Sequence, residues 1–182
     1  MPFNRIIGMA LQGTQPDNKS FLSPIGFKFA CNRLPHVNYF CTAATIPDIS
    51  LGETSTVENP FVKLPVPGDK LTFGRLDLTF RVDEDMKNFK EIYDWLIALG
   101  YPDNFSQRGA IGRTKDSVGS VYSDGSLVIT SSNMQPNIEI KFTDMYPSSL
   151  TSLEFDVENT DIEYLKATVS FAYRKYELST IS

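Results

Sequence analysis

The chain has 182 residues, 41% of them hydrophobic, a size and composition suited to one domain with a substantial buried core. Its formal net charge of −5 argues against a groove that neutralises many phosphates, on which tight nucleic-acid binding depends. The apolar run Ile6–Leu11, interrupted by Gly8, is too short for a secretory signal or a membrane span.

Residues 1–24 mix Gly8, Gly13, Pro16, Asn18 and Pro24 with little periodicity, and are expected to form an N-terminal arm laid over a surface. Ile25–Asn32 and Tyr39–Thr45 are β-branched, aromatic or small and predict two strands. Pro35 and His36 fall in the turn between them. Cys31 and Cys41 lie ten apart with no CxxC and no histidine cluster, which predicts reduced, buried, inert thiols and an intracellular setting.

Pro47, Pro60, Pro65 and Pro67, with Gly52 and Gly68, make 46–69 a long Pro-rich excursion or an edge hairpin, because so many missing donors cannot lie in a central strand. Val57, Phe61, Val62, Leu64 and Val66 are too apolar for plain disorder. Leu71 and Phe73 alternate in one parity and Leu76, Leu78, Phe80 and Val82 in the other, which predicts a β-bulge near Gly74. Met86, Phe89, Ile92, Tyr93, Leu96 and Ile97 then recur at helical spacing, giving one flanking helix at about 85–99 that Gly100 and Pro102 end. Asp83, Glu84 and Asp85 stand where unpaired N–H groups and the helix dipole favour negative charge, so they are expected to cap the helix and not to catalyse.

Residues 103–125, with Gly109, Gly112, Gly119 and Gly125, predict a flexible loop, and "GAIGRTKDSVGS" within it lacks the spacing of a phosphate cradle. Strands follow at 127–130, 138–142 and 153–157. The clearest is the last, where Leu165, Ala167, Val169, Phe171 and Tyr173 face one way and Lys166, Thr168, Ser170 and Arg174 the other. The pattern is that of a single, mainly β domain spanning 1–182: two packed antiparallel sheets, a β-sandwich or partly open barrel.

No catalytic, cofactor-binding or metal-binding residues emerge. His36 is the single histidine, no Ser, Cys or Asp spacing completes a triad around it, and Trp95 reads as a core or interface anchor. A β-rich chain with open strand edges and no reactive site has the parts of something that assembles.

Three stretches resemble a known family: "CTAATIPDISLGE", "KLPVPGDKLTFGRLDLTFRVDEDMKNFKEIYDWLIAL" and "SSLTSLEFDVENTDIEYLKATVSFAYRKY". In order and spacing they are similar to the tail tube proteins of contractile-tailed bacteriophages and the related baseplate tube initiators, over Cys41–Leu99 and Met145–Tyr173, with Tyr146 and Pro147 in the place of the family's late turn. The resemblance implies a structural virion protein that closes its sheet edges with other copies in hexameric rings. Those rings stack into a hollow tube for DNA, with tail sheath and baseplate proteins as further partners, assembly in the host cytoplasm and no membrane. It also implies that the arm and the 46–69 excursion reach neighbouring subunits. Six copies at −5 each carry −30, and an acidic bore would let DNA pass without tight binding; Asp77 and Glu139 are candidates to line it. Two alternatives stand beside the tube subunit: a baseplate or hub protein that initiates or caps the tube, and a carbohydrate- or ligand-binding β-domain using Trp95, Tyr101 and Phe105.

Overall fold

A computed structural model describes residues 19–54, 66–100, 121–156 and 164–181. Among these residues nine strands and two helices follow in the order β1 (Phe27–Cys31), α1 (Pro35–Phe40), β2 (Cys41–Thr45), β3 (Ile49–Thr54), β4 (Val66–Phe73), β5 (Leu76–Arg81), α2 (Lys87–Gly100), β6 (Ser123–Thr130), β7 (Pro136–Leu150), β8 (Lys166–Ala172) and β9 (Lys175–Thr180). The expected mainly β architecture of two packed antiparallel sheets is what forms. The element that organises it is β7.

This 15-residue strand belongs to both sheets. Its first half pairs with β6 and β9, giving a first sheet in the order β1-β6-β7-β9; its second half pairs with β8, giving a second sheet in the order β7-β8-β5-β2. The strand bends between the halves at Asp144, whose φ of 57° is left-handed, a region that Asp tolerates better than most residues. Asp124 supports the bend by accepting the Asp144 N–H at 3.1 Å, and Met145 turns fully inward beside Gly125. β8 and β9 bend with it, Arg174 donating its N–H to Thr143 O at 3.0 Å between them.

The core lies between the sheets. Phe29, Leu127, Ile140 and Phe142 from the first meet Leu78, Phe80, Val169 and Phe171 from the second, all at most 2% exposed. The alternation of β8 that stood out in the sequence is real: Ala167, Val169 and Phe171 are buried and Thr168 and Ser170 face out.

Several expectations are corrected. Pro35 does not sit in a turn but opens α1, where its missing N–H costs nothing at the first helical position. The protein therefore has two helices among the described residues, not one. The proposed bulge at Gly74 is a break: β4 pairs only with β3, and β5 starts afresh in the second sheet. A Cβ on Gly74 would stand 1.9 Å from Asp48 Oδ1, while its N–H donates to Asp48 O at 3.0 Å, so a side chain there would make the Asp48 carboxylate turn away from the strand break. Tyr146 and Pro147 are not a turn but part of β7, in the half whose outer side is an edge, where a proline's lost donor is tolerated. Residues 151–156 form no strand, although Leu153 still packs on the core. The strand β9 had no counterpart in the sequence reading.

Helix α2 begins at Lys87, two residues later than expected, and its turn is held by a different residue from the acids. Asn88, fully buried, accepts the N–H groups of Asp83 at 3.2 Å and Phe89 at 2.8 Å and donates to Arg81 O at 2.7 Å. Asp83–Asp85 lie in the turn before the helix, with Asp85 bound to Lys87 at 2.5 Å. Replacing Asn88 with Ala strands buried backbone groups, and the expected loss is about 2–3 kcal/mol. It would be read as a lower urea midpoint at unchanged m-value.

Candidate assembly surfaces

Two kinds of surface remain unsatisfied within one chain. The first is the set of sheet margins. Among the described residues β1 and β9 bound the first sheet, and β2 and the second half of β7 bound the second, each with one side free of a paired strand. A strand margin is a row of backbone donors and acceptors that another strand can complete.

The second is the hairpin of β3 and β4, which realises the hairpin alternative for 46–69; residues 55–65, with Val57, Phe61, Val62 and Leu64, lie outside those described. Ile49 pairs with Phe73 and Leu51 with Leu71, so these four side chains share one face. Phe73 anchors that face to the body through Tyr173 and Tyr176, at centroid distances of 6.2 and 5.5 Å. Beyond the anchor, Ile49, Leu51 and Leu71 remain 49, 47 and 58% exposed. An isolated two-stranded hairpin is marginal in water, and an apolar face this open asks for a surface to cover it. The hairpin also bends: Gly68 lies against Gly52, where a Cβ would come within 2.4 Å of the Gly52 carbonyl oxygen, at the register shift between Leu51 and Glu53. Phe21 and Leu22, at the described end of the N-terminal arm, are 94 and 59% exposed and add to the uncovered apolar surface.

The residues weighed for chemistry are placed as follows. Trp95 is 1% exposed, with its Nε1 donating to Val121 O at 3.3 Å, Phe171 at 6.2 Å and the Arg33 guanidinium 4.4 Å above its ring. It is a core anchor and offers no free face to a sugar; Tyr101 and Phe105, its supposed companions, lie outside the described residues, as does the loop up to 120. His36, on α1 and half-exposed, pairs with Glu91 of α2 and ties the two helices together. No cluster of three or more His, Cys, Asp or Glu able to hold a metal occurs among the described residues, and no described helix is long and apolar enough to cross a membrane.

Both cysteines are free thiols. Burial raises Cys31 above the usual thiol range and pushes Cys41 up to about 11. At pH 8 almost none of the Cys41 is thiolate, the reactive form. We expect the folded chain to label with a maleimide about 100-fold more slowly than the denatured chain, following the shift of Cys41 from 9.0 to about 11. The same shift favours the fold fully below about pH 9 and is lost as pH rises towards 11, so stability should decline over that alkaline window.

Asp77 and Glu139, considered together as bore residues, are not on one surface. Asp77 points out from the second sheet, where it accepts the Ser170 hydroxyl at 2.5 Å, and Glu139 points out from the first, level with Val128 and Ser179.

A sandwich with open margins, two flanking helices among the described residues and an apolar hairpin is matched by a known sequence family. The profile of the phage tail tube proteins aligns with residues 11–179, nearly the whole chain. The chain belongs to the phage tail tube protein family. No curated protein matches it. Among solved structures, the tube-terminating cap of the anti-feeding prophage shares the fold with a TM-score of 0.60 at 15% identity, over 95% of this chain and 100% of the other. A chain of the PVC sheath–tube complex of an extracellular contractile injection system, in the extended state, gives 0.58 at 13% identity over 97% and 98%. The sheath/tube terminator of the same system gives 0.54 at 12% identity over 89% and 99%. At such identities the likeness is one of fold, and the tail tube protein described here is a structural component by virtue of its family.

Proposed function

We propose that this tail tube protein is the repeating subunit of a hollow phage tail tube, forming hexameric rings that stack and conduct DNA. The observation that carries the reading is the apolar hairpin face of Ile49, Leu51 and Leu71, about half-exposed beside sheet margins that no described strand pairs. Margins of neighbouring copies pair within a ring, and the hairpin and N-terminal arm cover an adjacent subunit. Because the contact joins two different patches, it propagates without closing on itself along the tube axis. Sheath and baseplate proteins then meet the outer wall and the end, in a virion tail assembled in the host cytoplasm.

Electron microscopy of the purified protein tests the reading. Rings of sixfold symmetry, and tubes of stacked rings, are the expected result; monomers alone at every salt concentration would refute it. A cap or baseplate initiator of the tube is the second reading, since the cap of the anti-feeding prophage has the same fold. Copy number separates them: one ring per particle identifies an end piece, and many rings identify the tube body.

A further inference from the structure

Among the described residues, three other than glycine hold a left-handed backbone: Met86, Met134 and Asp144. Asp144 serves the bend of β7, and Met86 opens α2, its carbonyl accepting the Lys90 N–H at 2.9 Å. Met134, with a φ of 61°, serves neither. It ends the turn 132–134 that joins β6 to β7, where Ser131 donates its N–H to Gln135 O at 2.8 Å and Met134 donates its own to Ser131 O at 2.9 Å. The last position of a three-residue hairpin turn suits glycine, and a long side chain there strains the backbone. Within the chain that side chain gains little in exchange. It is 66% exposed, with the Thr130 hydroxyl donating to its Sδ at 3.8 Å.

Met134 stands in the middle of an apolar row along one end of the first sheet. On one side Thr130 donates its N–H to Gly26 O at 2.9 Å, next to Ile25, which is 76% exposed. On the other, Ile181 donates its N–H to Asn137 O at 2.9 Å and is 39% exposed. No residue from Ile129 to Ile138 is charged, so an apolar partner lands on this turn without desolvating an ion. The hairpin β3–β4 is anchored towards the opposite end of the same sheet. Phe73 rests on Tyr176, in the cross-strand row of Cys31, Gly125 and Phe142, whereas Met134 lies beyond the row of Phe27, Ile129, Ile138 and Thr180. The two rows are about 13 Å apart along β9.

We propose that Met134 determines the specificity of a contact between copies: its turn gives up stability in the free subunit to hold the thioether outward, and the row of Ile25, Met134 and Ile181 receives the hairpin face of Ile49, Leu51 and Leu71 of another copy. The inference rests on the tube reading above and names the surface that the hairpin covers. The two faces are different patches, one at an end of the first sheet and one on a hairpin anchored towards its other end, so a contact between them joins copies head to tail and repeats. An unbranched thioether fits itself to the uneven surface of leucine and isoleucine side chains. The backbone strain is the same in the free and the assembled subunit, and it is offset only where the side chain is covered.

Met134→Gly and Met134→Asn test the role of the side chain, since both residues accept a left-handed backbone. The dissociated subunit of each should melt about 2–4 °C higher than the unmodified chain. The protein concentration each needs to form tubes should nevertheless rise at least about tenfold. Met134→Leu keeps an apolar side chain and should assemble near the native concentration. A lowered melting temperature in both the glycine and the asparagine variant, or tubes formed by them at the native concentration, overturns the role of Met134. Mild oxidation of tubes of the double variant Met134→Cys and Leu71→Cys should give a ladder of linked chains that neither single variant gives; intact tubes without a ladder overturn the pairing of the two faces while leaving the tube established. Failure of the unmodified chain to form rings at all overturns the tube reading and this inference with it.

Discussion

Val169→Pro is expected to leave no folded protein. Val169 is fully buried at the centre of β8, with β5 on one side, where it pairs with Leu78, and β7 on the other, where it pairs with Leu150. Proline removes a ladder donor and places its ring where a neighbouring strand must lie, at a cost of about 3 kcal/mol or more for the backbone alone. It also withdraws a valine from a core that includes Phe80 and Phe171. A domain of this size has about 5–15 kcal/mol to lose in total, and β8 is paired on both sides within the second sheet. Loss of soluble protein, or a far-ultraviolet spectrum without a cooperative melt, is the readout. Val169→Ala serves as the control: it deletes two methyl groups and keeps the N–H, so it should fold with a lowered midpoint.

The second large effect concerns assembly and leaves the subunit intact. Leu51→Glu combined with Leu71→Glu puts two carboxylates directly opposite each other on the apolar face of the hairpin. Both positions are about half-exposed in the single chain, so removing the leucines costs the monomer little, and the like-charge pair adds only a local penalty. In a contact that covers the half of each leucine still exposed, each would contribute about 0.8–1.5 kcal/mol, and each carboxylate would have to be desolvated instead. Sedimentation should therefore show a monomer with the native melting temperature and no rings or tubes. Normal polymerisation of the double variant would remove the hairpin from any role in assembly.

How much of this was legible in the sequence follows from where the side chains meet solvent. β5 and β8 were plain because each has one face in the core and one in water, so Leu76, Leu78 and Phe80, or Ala167, Val169 and Phe171, alternate without interruption. α2 was plain for the same reason at a period of 3.6. The strand β9 was hidden because Lys175, Glu177, Leu178, Ser179 and Thr180 are all exposed at a margin, with only Tyr176 packed on the core. β7 was read short because Asp144 and Pro147 carry the marks of a turn, and what they mark is the bend between two sheets. α1 was missed because six residues cannot establish a helical period, and the buried Leu34 and Val37 look equally suited to a strand. The assembly surface was readable as an anomaly of composition, apolar residues among prolines in 46–69. Asn88 was invisible, since nothing in a sequence separates a buried asparagine from an exposed one.

The bend of β7 has a mechanical consequence. Because β7 and the β8–β9 run stay hydrogen-bonded to each other on both sides of the kink, the two layers of the sandwich are stitched by a ladder that passes through the corner. Sliding one layer over the other would shear those bonds together instead of opening them one by one, and would drag Met145 and Phe142 out of the interior at the same time. A block built in this way resists load as a stiff brick, so that a column of such blocks yields at the joints between them before any one of them deforms.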